Sequence, residues 1–365
     1  MSEPTPDPSQ TPDATERPGL LIVVTMAVLA VLCVAATLLP HNPYIRYQQL
    51  SETLQFRVEW NYDRINHDDT PIDIALIGVS RTQAAVSAPV MTRLLSRQLG
   101  RPVQFVNLSM PQQGRNAHYA IARELFEKRP EVQVLVLAVV EQMARTPHPA
   151  FRNIAEVEDI IGAPMLINYN YFDDLAFLPW RQLALFVQTQ FPEAFGDKTR
   201  FDPTDYEGTD MDSTLSFVSP PDNYVDRNKV VPKVELDRQA YGYLSSLTPP
   251  RLPDSMVDYE FAVERTYLRQ IAEMARANGT EMAFLFMPIY RGPTELDDPD
   301  LIAPYGPLLT ATFITGEPSM FSDYGHVNRN GSGVVTPWLA DQLGSMIQSG
   351  QLHLDPSPGR AGAGD

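Results

Sequence analysis

The sequence is poor in cysteine and in positive charge. Among its 365 residues there is one cysteine, Cys33, so an internal disulfide and a cysteine-based metal site are both excluded. Cys33 also lies inside an apolar stretch, which excludes a catalytic thiolate. Lysine and arginine together number 28 against 45 aspartates and glutamates, for a net charge of -17. Phosphate binding requires a basic face, so we expect no nucleic-acid partner.

Motifs for cofactors and metals are also missing. The chain has no P-loop, no dinucleotide-binding fingerprint and no zinc motif. His118 and Glu124 share a predicted helix, but their spacing does not bring them together as ligands. The stretch His67-Asp68-Asp69 has the composition of a polar linker. We therefore expect neither a metal nor a cofactor.

One long segment, residues 19–39, contains no charged residue. About 20 helical residues cross the ~30 Å hydrocarbon layer of a membrane, so its length suits one span. The residues before it are acidic, with Arg17 as the only basic side chain, unlike the short positive start of a signal peptide. The pattern predicts an uncleaved transmembrane helix, with a cleaved signal as the alternative. The flanking charges do not decide its orientation.

After this segment, apolar runs alternate with helical patterns. Such alternation predicts an α/β fold in which helices cover a parallel sheet. The run at 132–140 is apolar throughout, as expected for a strand buried on both faces. The predicted strands are 72–77, 103–108, 132–140 and 281–288, and the predicted helices are 89–100, 116–129, 257–278 and 332–348.

The alternation is interrupted between residues 145 and 255, where Pro, Asp and aromatic residues are frequent. A structureless loop of that length is improbable, so we predict an inserted cap with a few short helices. Its aromatic residues suit either sugar stacking or a core, and we favour the core for Tyr169, Tyr171, Phe172 and Trp180. The predicted segments are a disordered N-terminus 1–18, a transmembrane helix 19–40, a connector 41–70, an α/β domain 71–144 and 256–350, the cap 145–255 and a disordered tail 351–365.

Two patterns suggest nucleophilic catalysis. Ser80 follows the first strand in the stretch Gly78-Val79-Ser80, at the sheet edge where ligands bind in α/β folds. A serine needs a base, and an imidazole serves when a carboxylate fixes its tautomer. His326 is the only one of the six histidines with an aspartate, Asp323, three positions earlier. Taken singly, Ser80 also fits an ordinary turn, and the Asp323–His326 pair also fits a helix-capping loop.

A third element would stabilise the oxyanion formed during acyl transfer. Gly114 follows the second strand, and the N–H groups of Ser80 and Gly114 are candidate donors if their loops converge. The alternative is a glycine that only begins a helix. Arg81 suits either a substrate carboxylate or an ion pair within the fold, and we favour the ion pair.

These residues resemble the SGNH (GDSL-type) hydrolase family over residues 71–141 and 257–348. In that family a serine block follows the first strand, a glycine follows the second, and an Asp-x-x-His precedes the last helix. The matching positions are Ser80, Gly114, Asp323 and His326. Val79 stands where the family has aspartate. The block-three asparagine is absent, and Glu141 near its place cannot donate a hydrogen bond while ionised.

The resemblance implies a flavodoxin-like parallel sheet of the SGNH-hydrolase type with a large insertion. Together with the membrane segment, it is similar to the envelope branch that includes D-alanyl transfer and exopolysaccharide acetylation proteins. That branch implies a single-pass protein of the bacterial cytoplasmic membrane with a periplasmic domain. Its implied partners are the bilayer, an envelope glycan and a membrane-bound O-acyltransferase. A serine esterase or O-acyltransferase is the expected activity, and a non-catalytic scaffold is the alternative.

Overall fold

A computed structural model of the chain describes residues 17–165 and 168–356, so the disorder predicted for 1–16 and 357–365 lies outside the described residues. The described part has mixed α/β structure. Its strands are β1 Ile74–Ile77, β2 Phe105–Asn107, β3 Val134–Val139, β4 Phe217–Ser219, β5 Asn223–Val225, β6 Glu281–Phe286 and β7 Leu308–Thr310. Its α-helices are α1 Arg17–Thr37, α2 Pro43–Gln48, α3 Val58–Asn66, α4 Ser80–Ala85, α5 Ala88–Leu99, α6 Arg115–Lys128, α7 Phe151–Ile154, α8 Val157–Ile161, α9 Tyr171–Gln190, α10 Pro192–Phe195, α11 Lys233–Ser246, α12 Val257–Glu260, α13 Ala262–Asn278 and α14 Arg329–Gln348.

The main sheet has five parallel strands in the order β2-β1-β3-β6-β7. Four of them fall within the predicted strand segments. The fifth, β7, has only three residues, too few for an apolar run to be noticed in the sequence. The strand order reverses beside β1, which creates a crevice at the carboxyl ends of the strands.

Helices cover both faces of the sheet. Along β1, Ile74 and Leu76 point into one core, whereas Ala75 and Ile77 point into the other. The first core is closed by α5 and α14, and the second by α6 and α13. Burial on both faces explains why β3 is apolar along its whole length.

The N-terminal helix α1 begins at Arg17, slightly before the predicted start. It is long and apolar enough to span a membrane, and the side chains from residue 19 to residue 35 are exposed. Its length and apolar composition agree with the predicted membrane span. The connector then forms α2 and α3, which pack on the domain.

The inserted segment differs from its prediction. It contains the antiparallel hairpin β4–β5 and the long helix α9, which has 20 residues, in addition to short helices. Tyr169, Phe172 and Trp180 are 68%, 67% and 66% exposed, so the expectation that they form a core is wrong. Residues 351–356 also differ from the predicted tail, because Leu352 and Leu354 are buried against the sheet domain.

Candidate active site

Ser80 lies at a sharp strand-to-helix turn. Strand β1 ends at Ile77, and Ser80 is already the first residue of α4. A Cβ at Gly78 would lie 2.2 Å from Thr82 Oγ1 and 2.6 Å from Ala138 Cβ, so only glycine fits between strand and helix. The turn leaves Ser80 half-buried at the carboxyl edge of the sheet.

The loop before α14 is held as a short hairpin. Phe321 and Val327 pair as an antiparallel bridge, and the Ser322 N–H donates to the His326 carbonyl at 2.9 Å. Asn328 then caps α14, because its side-chain oxygen accepts from the N–H groups of Asn330 and Gly331. These bonds leave the loop little freedom.

The two segments meet in a chain of hydrogen bonds. The Ser80 hydroxyl lies 2.8 Å from His326 Nε2, and His326 Nδ1 lies 2.9 Å from both carboxylate oxygens of Asp323. Asp323 Oδ1 also accepts from the N–H groups of Gly325 and His326, at 2.8 and 2.9 Å. When Nδ1–H donates to the carboxylate, Nε2 is free to accept the serine proton. The structure thus brings together the three residues that the sequence singled out.

Asp323 is held in its charged form. Burial opposes ionisation, but hydrogen bonds from the His326 ring and from the N–H groups of Gly325 and His326 outweigh it, so the pKa of Asp323 lies below its usual value. An ionised carboxylate at this position orients the imidazole and stabilises an imidazolium.

Arg81 anchors the helix that carries Ser80. Its guanidinium binds both carboxylate oxygens of Glu141, at 2.5 and 3.0 Å, which confirms the predicted ion pair within the fold. The Tyr243 hydroxyl donates to Glu141 at 2.5 Å. Burial raises the pKa of Glu141, but these hydrogen bonds outweigh burial and hold it below the usual value. Glu141 is therefore ionised and is an acceptor only.

Gly114 is required by the backbone geometry just before α6. It precedes α6 with φ +146°, and a Cβ there would lie 2.3 Å from the His148 backbone nitrogen. It is not among the described residues that line the cleft around Ser80. Its close approach to His148 accounts for the glycine without a catalytic role. The Ser80 N–H, in contrast, has no hydrogen-bond partner in the described part of the chain.

Ser80 opens into a cleft of about 600 Å³. One wall is the α/β domain, and the other is the β4–β5 hairpin of the insertion. Within residues 17–165 and 168–356, no group of three or more His, Cys, Asp or Glu side chains could hold a metal ion. The lining includes Leu54, Phe56, Ser80, Gln83, Pro111, Gln112, Phe217, Ser219, Asn223, Tyr224, Val225, Asp226, Arg227, Lys229, Ser322, Asp323 and His326.

The hairpin residues of this wall were missed in the sequence. The turn Pro220-Pro221-Asp222, between the short runs FVS and NYV, was a usable hairpin signal. No local pattern places Arg227 beside Asp323, because the two residues are brought close only by tertiary packing.

No protein-family model matches this chain, and none of the curated protein sequences matches it. The functional assignment therefore rests on the geometry of the site and on the chemistry of its residues.

Proposed function

We propose that this protein is a membrane-anchored serine esterase or O-acyltransferase with an SGNH-type fold, acting on acyl esters of cell-envelope glycans. The observation that carries the proposal is the unbroken hydrogen-bond chain from Ser80 through His326 to Asp323. It lies at the carboxyl edge of the parallel sheet, in an open cleft large enough for a sugar ring.

The reaction begins when Ser80 Oγ attacks the carbonyl carbon of the acyl ester. His326 Nε2 takes the hydroxyl proton as the new C–O bond forms, and Asp323 stabilises the resulting imidazolium. The tetrahedral intermediate collapses by expelling the alcohol, which receives the proton from His326. Water or a glycan hydroxyl then attacks the acyl-serine by the same steps in reverse, which gives hydrolysis or transfer.

The negative charge on the tetrahedral intermediate requires donors. The Ser80 N–H at the start of α4, which has no hydrogen-bond partner among the described residues, is the donor that the geometry supports. Gly114 N–H is the second donor expected from the sequence; Pro111 and Gln112 of the same loop line the cleft, although Gly114 itself does not.

The proposed location follows from α1 and from the family resemblance. We propose that α1 is an uncleaved anchor in the bacterial cytoplasmic membrane and that the α/β domain lies on the periplasmic side. A membrane-bound O-acyltransferase supplying the acyl group and an envelope glycan receiving it are the proposed partners.

Ser80→Ala tests the proposal. In the wild-type protein a fluorophosphonate probe should label Ser80, and a small acetyl ester should be hydrolysed. Both signals should disappear in Ser80→Ala and persist in Ser245→Ala, a control at an exposed serine of α11. Unchanged labelling or turnover in Ser80→Ala would refute the assignment.

The second candidate is a non-catalytic scaffold that binds a glycan or an acyltransferase in the same cleft. It is favoured by the ionised Glu141 near the place of the block-three asparagine and by the position of Gly114 outside the cleft lining. A scaffold would bind glycan in the wild type and in Ser80→Ala alike, with no fluorophosphonate labelling of either.

A further inference from the structure

Two arginines flank one aromatic ring in the wall of the cleft. The guanidinium carbons of Arg57 and Arg227 lie 4.3 and 5.7 Å from the centroid of the Phe217 ring. Their residues are only 7% and 5% exposed. Phe217 and Arg227 line the same cleft as Ser80 and His326, whereas Arg57 is not among the residues that line it.

Neither arginine has a carboxylate partner in the described part of the chain. Arg227 makes no side-chain hydrogen bond there, and Arg57 donates only to the Met211 sulfur, at 2.8 Å. The Nε atoms of both arginines are buried without a partner among the described residues. Asp323 attracts Arg227 from beyond ion-pair distance, and its oxygens are already engaged by His326.

Two buried, unpaired cations are unfavourable unless a counter-charge joins them. The pKa of Arg227 is lowered to about 10, chiefly by burial, with Asp323 opposing the shift and the charge of Arg57 adding to it. Arg227 thus remains charged at neutral pH. Its planar guanidinium group can donate hydrogen bonds to an oxyanion that enters the cleft.

We propose that Arg227, supported by the charge of Arg57, binds an anionic oxygen group of the molecule that enters the cleft. The group is a carboxylate, phosphate or sulfate, and Lys229 adds positive charge to the same wall. The assignment of this anionic group to the ester substrate of Ser80 rests on the proposed function. The existence of the anion site does not depend on it. The inferred substrate class is an acidic glycan or another anionic acyl ester.

Thermal unfolding of the full chain in detergent tests the site without turnover. Malonate probes carboxylate binding and sulfate probes tetrahedral anions, each against chloride at equal ionic strength. At saturating anion we expect Tm to rise by about 2 °C or more in the wild type. The rise should persist in Arg276→Gln, an exposed arginine on α13, and disappear in Arg227→Gln.

An equal rise in wild type and Arg227→Gln, or no rise with either anion, would overturn the anion site. Arg227→Lys provides a second variant, which should keep part of the response because it keeps the charge. If the wild-type protein were not labelled by fluorophosphonate at Ser80, the proposed function would be refuted. The anion-dependent Tm shifts would still be observed. The two failures are therefore distinguishable.

A separate observation concerns α9, whose exposed face is more apolar than its buried face. Phe172, Ala176, Trp180 and Leu183 are exposed and recur at helical spacing, so they form one stripe. The only exposed charged residue of α9 is Asp173. The buried positions are Asp174, Leu178, Arg181, Gln182 and Leu185, of which three are polar. This pattern is the inverse of a helix on a water-exposed surface.

The stripe lies beside the end of the spanning helix. Gln182 donates to the carbonyl of Thr37, the last residue of α1, at 3.4 Å, and the Asn42 N–H donates to Thr189 Oγ1 at 2.9 Å. The carboxyl end of α1 packs against α9. Phe191, exposed just after α9, extends the apolar surface. Trp and other aromatic side chains are favoured at the depth where a spanning helix leaves the bilayer.

We infer that the exposed face of α9 lies in the lipid interface, on the side of the membrane where α1 ends. Phe172, Trp180 and Leu183 enter the headgroup region, and the α/β domain is thereby held against the bilayer surface in a fixed orientation.

Spin labelling of the full chain in lipid nanodiscs tests this inference. In a Cys33→Ser background, Trp180→Cys carries the label on the stripe, and Tyr241→Cys carries it on α11, where Tyr241 is 76% exposed. The label at position 180 should be more accessible to oxygen than to a water-soluble nickel chelate, and the label at 241 should show the reverse. Equal accessibility of both labels to the chelate would refute lipid contact. The same result is expected if another protein, rather than lipid, normally covers the stripe.

Discussion

The Ser80 hydroxyl and His326 Nε2 lie 2.8 Å apart although 246 positions separate the two residues in the chain. The contact is held by the packing of α14 against α4. The Thr336 hydroxyl, on α14, donates to the Ala85 carbonyl at 2.9 Å and accepts from the Ser87 N–H at 3.1 Å. The site is therefore a product of long-range packing between the two halves of the α/β domain.

Asp323→Asn should lower the rate of ester hydrolysis by a factor on the order of 10²–10⁴. The amide removes the charge that orients His326 and stabilises its imidazolium, but its oxygen still accepts from the N–H groups of Gly325 and His326. The fold should therefore survive. The measurements are kcat for a small acetyl ester, the rate of fluorophosphonate labelling and Tm. A labelling rate equal to wild type would contradict the role assigned to Asp323.

The parts of this site that follow local rules were predictable from the sequence. Ser80 comes just after a buried strand, and Asp323 and His326 share one short loop, so their positions taken together singled them out, although each alone also fits an ordinary turn or capping loop. Gly114 was different, because its φ and its contact with His148 explain the glycine by backbone geometry rather than by chemistry.

The remaining features depend on which surfaces meet. Helical periodicity in α9 defines an apolar stripe but does not say whether Trp180 faces protein or the surroundings. The same limit applies to Arg57 and Arg227, which are far apart in sequence and both approach the Phe217 ring only in the folded chain. The fifth strand of the sheet, β7, was missed for a different reason, because it is too short to recognise in the sequence.

Gly78→Ala should destabilise the protein by roughly 1–3 kcal/mol and slow labelling of Ser80. The added methyl would overlap Thr82 Oγ1 and Ala138 Cβ, so the turn that carries Ser80 must shift. Gly242→Ala is the matched control, since a Cβ at that position of α11 meets no atom within 4 Å. It should be neutral or slightly stabilising because alanine favours helices. Equal stability and labelling in the two variants would contradict the tight turn.

The ion pair between Arg81 and Glu141 should show strong coupling. Glu141→Leu leaves the Arg81 charge buried, and the Tyr243 hydroxyl and the Met287 carbonyl are then its only acceptors within the described part of the chain, so we expect a loss of about 3–5 kcal/mol. The double variant Arg81→Met/Glu141→Leu should recover much of that stability, because neither charge remains. Unfolding free energies of the two single variants and the double variant give the coupling energy. Additive losses would show that the pair does not act as a unit.

Asp63 should make the protein less stable as pH rises. Its carboxyl group on α3 is buried, and Oδ1 has no hydrogen-bond partner among the described residues. Burial, and then the charge of Glu59, raise the pKa of Asp63 from 3.8 to about 7, although a hydrogen bond with Tyr44 opposes the shift. The folded state thus binds the proton more tightly than the unfolded state. Stability is highest below the unfolded pKa and falls until pH passes the folded pKa.

Asp63→Asn replaces the titrating carboxyl group with a neutral amide and removes this dependence. The free energy of unfolding of Asp63→Asn should exceed that of wild type by the least near pH 4, and the difference should grow to about 1–3 kcal/mol at pH 8. The measurement is the free energy of unfolding at pH 4, 6 and 8, with Asp69→Asn, at an exposed aspartate, as the control. Because only a buried group gains from neutralisation, the control should follow the wild-type curve. A constant difference between Asp63→Asn and wild type across this range would show that Asp63 does not titrate there.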